Sequence, residues 1–129
     1  MPMRKIDELM YLAIPSRMSE RAGEIREFAF REGYAPLCPF RTFPFEEFEA
    51  NPEIGRDKAR EWCFGLVDIG DVFGMFGISE GTIDEFERAY DLNKPIKLYF
   101  KKFDNLWEEY YNNLEKNQRK KLDEVIARQ

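Results

Sequence analysis

Short apolar runs alternate with amphipathic stretches along this chain. Residues 8–14, Glu-Leu-Met-Tyr-Leu-Ala-Ile, read as a buried strand that Pro15-Ser16 ends. Ser16 or Ser19 is placed to cap a helix over about 18–32, with Ala22, Ile25, Phe28 and Ala29 on one face and Gly33 as its stop. Tyr34–Cys38 reads as a second strand, and Pro36 puts it at a sheet edge because proline has no N–H for a ladder. A Phe- and Pro-rich connection follows over 39–53, with one short helix expected around Phe45–Glu49. Ala59, Trp62, Cys63, Leu66 and Val67 mark the inner face of a helix over about 54–67.

The second half repeats the alternation. Asp71–Phe76 is a third, fully buried strand, and Pro95–Phe100 a fourth. Between them a helix over 82–91 turns Ile83, Phe86, Ala89 and Tyr90 inward. Residues 104–128 are strongly helical, with Trp107, Tyr111, Leu114, Leu122 and Val125 apolar, as one long helix or as two broken near Asn117. Strands separated by helices imply a parallel sheet with right-handed crossovers. The fold expected is a single three-layer α/β domain, Rossmann-like (flavodoxin-like), with four to five parallel strands in the order 2-1-3-4 and a long C-terminal helix from about 104. The switch point then lies between strands one and three. Ile14–Arg17 and Gly77–Glu85 flank one cleft at the strands' carboxyl ends.

Composition narrows the chemistry. The chain has 129 residues, enough for one core, and a net charge of −5. An acidic balance argues against nucleic-acid polymers and membrane surfaces, which need a positive field. The Arg119–Lys121 run sits among acids and reads as a solvated helix face. No apolar run suits a membrane span or leader, so the cytoplasm is the expected location. Cys38 and Cys63 have no metal spacing and read as reduced thiols. Histidine is absent, which removes Ser-His and Cys-His nucleophile pairs and His-ligated zinc. Acid–base work falls to carboxylates, Tyr, Lys, Cys or water, and no metal or cofactor is expected.

The most informative stretch is Gly77-Ile-Ser-Glu-Gly-Thr-Ile-Asp-Glu85, a strand-to-helix junction. Free N–H groups at such a helix start suit an anion, Ser79 and Thr82 add hydroxyls, and Gly81 lets a ligand approach the backbone. The alternative is plain capping: Thr82-Ile-Asp-Glu85 spells a capping box. Glu85 lies off the apolar stripe in the first turn, facing either the cleft or solvent. Tyr11 is a core aromatic or a site residue. Arg17 holds an anion or sits on the surface. The glycines at 70, 74 and 77 match neither a Walker loop nor the dinucleotide fingerprint. Asp71 begins its strand, whereas a receiver-type phosphoacceptor ends one.

Tyr11-Leu-Ala-Ile-Pro, Asp71-Val-Phe-Gly-Met-Phe, Ser79-Glu-Gly-Thr-Ile-Asp-Glu-Phe and Asn93-Lys-Pro-Ile, in that order over about residues 8–100, resemble the nucleoside 2-deoxyribosyltransferase superfamily, which includes the 2-deoxynucleoside 5-phosphate N-hydrolases. The resemblance implies that Glu85 attacks the anomeric carbon of deoxyribose, that Tyr11 lies against it, and that Asp71 is the strand-three acid of the site. It further implies that Ser79 and Arg17, with Ser16, Gly81 and Thr82 beside them, grip a 5-phosphate. Two positions depart from the family. Cys63 stands where a second carboxylate usually helps the base leave, and Ile14 replaces a small residue.

Two functions follow. One is an N-glycosidic hydrolase or deoxyribosyltransferase acting on a deoxynucleotide or deoxynucleoside through Glu85. The other is a nucleotide-binding or oligomeric assembly module that kept the fold without the catalysis. Both expect a small-molecule ligand and a homo-oligomer, and the glycosidic mechanism requires the acid at 85 and the phenol at 11 to converge.

Overall fold

A computed structural model of the chain describes residues 7–42 and 55–129. Four strands form one parallel sheet: β1 (Leu9–Ala13), β2 (Ala35–Leu37), β3 (Val72–Met75) and β4 (Ile96–Leu98), in the order β2-β1-β3-β4. The expected architecture is therefore present, with Tyr11 level with Leu37 on one side and Phe73 on the other. The helix expected around Phe45–Glu49 falls outside the described residues.

Alternate β1 residues feed two cores, as the period of a strand demands. Met10 and Leu12, with Ile14 just past the strand, join a layer closed by α1 (Ala22–Arg31) through Ala22, Ile25 and Ala29. Tyr11 and Ala13 join the opposite layer, built from α3 (Gly55–Ile69), α4 (Glu80–Asp91) and α7 (Lys116–Arg128). One-turn helices α2 (Pro39–Thr42) and α5 (Phe100–Phe103) continue the chain after β2 and β4, and α6 is Trp107–Asn112.

Several boundaries differ from the pattern-based expectation, each for a local reason. The segment after β1 enters as a 3-10 turn over Ser16–Arg21 led by Pro15, and neither Ser16 nor Ser19 caps it. Gly33 does end α1, at φ 94°. The start of α4 lies before Thr82: Ser79 is the N-cap, its hydroxyl accepting Thr82 N–H at 3.1 Å while Thr82 Oγ1 accepts Ser79 N–H at 2.8 Å. Thr82 thus closes a box with Ser79 and not with Glu85. The C-terminal stretch breaks at 113–115, ahead of Asn117, because Glu115 and Gln118 form a capping box that starts α7 afresh. Helix α7 packs into the core of its own chain through Leu122 and Val125.

Ion pairs fix α4 between its neighbours. Arg88 forks onto Asp68 of α3 at 2.5 and 2.6 Å, and Glu87 meets Lys121 and Gln118 of α7 at 3.0 Å each. At the outer edge of β4 the Gln129 side chain accepts Leu98 N–H and donates to the Ile96 carbonyl, both at 3.1 Å. Among the described residues no helix is long and apolar enough to cross a membrane.

Candidate functional site

The site grows from β1. Tyr11 takes the odd register of that strand, stacks on Phe73 of β3 at 5.8 Å, and sends its phenol toward α4. Thr82, Glu85, Phe86 and Ala89 lie three, four and seven residues apart, so they share one face of α4, and all are buried. Glu85 therefore belongs to the inner stripe, one full turn into the helix, and the expectation that it lies off that stripe does not hold. Tyr11 Oη donates a hydrogen bond to Glu85 Oε2. Helix α3 supplies the third wall, where Cys63 lies beside the Tyr11 phenol and helps to raise its pKa. One turn earlier Arg60 reaches Glu80 at 3.4 Å and Asp84 at 3.6 Å.

Burial sets the electrostatics of the pair. Glu85 is 8 % exposed, and withdrawal from water pushes its carboxyl up to about 7, against the pull of the Tyr11 hydrogen bond. Asp84 pushes it the same way, and Arg60 opposes. Burial, then the charge of Glu85, holds the Tyr11 phenol well above its ordinary 10, so it remains a donor. The pair is an acid raised toward neutrality and fixed by a protonated phenol, a group that can attack an electrophilic carbon or move a proton.

The remaining sequence-predicted residues are not all beside this pair. Asp71 is at the amino end of the sheet, where its carboxylate accepts Leu9 N–H at 2.8 Å. Ser79 and Thr82 bond each other as the cap of α4, and Thr82 Oγ1 also donates to the Gly77 carbonyl at 2.9 Å. Gly81 has open space around it, since a Cβ there would meet only Ser79 Oγ at 3.9 Å. Ser16 opens the 3-10 turn and is exposed. Arg17 donates from Nη1 to the Ile78 carbonyl at 2.9 Å and from Nη2 to Asp104 at 2.5 Å, with its guanidinium 3.9 Å over the Tyr110 ring.

Ile14–Arg17 and Gly77–Glu85 do face each other, and at their base they touch. A Cβ on Gly77 would lie 2.6 Å from Pro15 Cγ and 2.8 Å from Met18 Sδ. Two residues of this region carried no sequence signal. Asp104 is 3 % exposed and accepts Ile78 N–H and Leu106 N–H at 3.0 Å each, besides Arg17. Arg60 pairs with two acids in the first turns of α4, and nothing in its helical spacing separates it from a surface arginine. Against protein-family models and against curated proteins, the sequence gives no match.

Proposed function

We propose that this protein cleaves the N-glycosidic bond of a 2-deoxyribosyl compound, with Glu85 as nucleophile. The observation that carries the reading is the buried Tyr11–Glu85 hydrogen bond beside the switch point of the sheet. In this reaction the Glu85 carboxylate forms an ester bond to the anomeric carbon as the carbon–nitrogen bond breaks. The base leaves with the electron pair and takes a proton from solvent. Water then attacks the same carbon, frees the sugar and restores the carboxylate. A second base in place of water gives transfer. Tyr11 keeps one carboxylate oxygen fixed, so the other is aimed. No cofactor is needed for any step.

The rival reading is a binding or assembly module that performs no cleavage. Cys63 favours it, since a thiol replaces the carboxylate that would assist departure of the base. The test is to incubate the protein with each 2-deoxynucleoside and 2-deoxynucleotide and to follow free base by chromatography, beside Glu85→Gln. Base release that the substitution abolishes is the expected result. Saturable binding without release moves the assignment to the module, and neither binding nor release removes both.

A further inference from the structure

Two donors from the two loops that flank the switch point converge on one oxygen. Arg17 Nη2, from the segment after β1, lies 2.5 Å from Asp104 Oδ2, and Ile78 N–H, from the segment after β3, lies 3.0 Å from it. A guanidinium and a backbone N–H aimed at one point at the carboxyl ends of a parallel sheet make a receptor for an oxyanion. Here the oxyanion belongs to the chain itself. The Asp104 side chain is 2 % exposed and its second oxygen accepts Leu106 N–H at 3.0 Å. The cation is held as firmly: Nη1 is on the Ile78 carbonyl and the guanidinium face lies on Tyr110.

The geometry points to Asp104 as a built-in counter-ion that keeps phosphate out of the Arg17–Ile78 receptor, so the site takes an uncharged deoxynucleoside and not its 5-phosphate. Phosphate would have to evict a carboxylate that is tethered in place and leave it buried without its cation. Among the described residues, two neighbouring arginines are already engaged by carboxylates. Arg21 is bound by Glu24 at 3.0 Å, and Arg60 faces both Glu80 and Asp84. The first turns of α4 carry Glu80 and Asp84 against the single cation of Arg60, and a phosphate bearing about −1.5 to −2 charges meets that acidic excess. The choice of a nucleoside rests on the glycosidic reading above, whereas the exclusion of phosphate does not.

Two arms test it. Inorganic phosphate is titrated calorimetrically into the wild type, Asp104→Asn and the double variant Asp104→Asn/Arg17→Gln. The wild type is expected to show no saturable binding at millimolar concentration. Asp104→Asn gains binding by about tenfold or more, and the added Arg17→Gln removes the gain. Saturable binding to the wild type that Arg17→Gln abolishes would overturn the exclusion, whether or not the Asp104 variants fold. In the second arm the four common 2-deoxynucleosides and their 5-monophosphates are compared on the wild type for binding and base release. A preference of about tenfold for the nucleosides is expected. Preference for the monophosphates overturns the proposal. Indifference of the protein to both classes discards the glycosidic reading and the nucleoside with it, leaving phosphate exclusion to be decided by the first arm.

Discussion

Glu85 is an acid whose folded-state pKa of about 7 stands above its ordinary 4.5 because it is buried. The folded protein therefore holds this proton over a window in which the unfolded chain has released it. Stability is greatest below about pH 4.5 as far as this group is concerned, and falls by about 3 kcal/mol as pH rises to about 7 and above. Glu85→Gln, neutral at every pH, should flatten that decline. Denaturant midpoints of both proteins at pH 5 and pH 8 measure it, and parallel declines would contradict the assignment. The Tyr11 hydrogen bond lowers the Glu85 pKa, so Tyr11→Phe should move it upward. The same substitution should slow base release by about tenfold or more, because the carboxylate loses its fixed donor. A carboxyl NMR titration reads the first effect without relying on catalysis. At this scale the sequence marks Tyr11 and Glu85 as candidates, and the fold brings their side chains together. Asp71 was picked out as well, yet it serves the sheet's amino end. Asp104 and Arg60 were invisible, because a buried acid after a one-turn helix has no periodicity to mark it.

Among the elements, the parallel strands and their order were readable from alternating apolar runs and from Pro36 at the edge. Helix starts were less so. Ser79, Thr82 and Glu85 are spaced three apart, and each neighbouring pair satisfies a capping-box pattern; only the fold decides between them. Ser79 wins because the strand before it ends at Met75 and the loop has to turn within a few residues. That loop is held against the segment after β1 by the absence of a side chain at Gly77. Gly77→Ala would drive a methyl into Pro15 and Met18, and the proline ring cannot swing aside. The expected cost is about 1–3 kcal/mol. Thermal unfolding reads it, and an unchanged midpoint would show that the two walls are not in register as described. Gly81→Ala, with room around its Cβ and a helical position, serves as the tolerated control.

For the molecule as a whole, α4 is one element that joins the C-terminal region to the sheet, beside the direct pairing of Gln129 with β4. Glu87, Tyr90 and the buried Leu122 and Val125 bind α7 to it, so the last helix is part of the core and not an appendage. Leu122→Ala should cost about 2–5 kcal/mol. Far-ultraviolet dichroism and the fluorescence of Trp62 and Trp107 should lose their signals together. Two separated transitions would mean that α7 melts on its own. The pairing of Gln129 with β4 carries a different consequence. Its carboxamide offers one donor and one acceptor in the manner of a peptide group, and so imitates a single residue of a neighbouring strand. A foreign segment trying to extend the sheet on that flank finds the first two backbone positions already taken, and three-residue β4 has little further length to offer it. On the β4 flank the chain's own side chain stands where a foreign strand would have to begin.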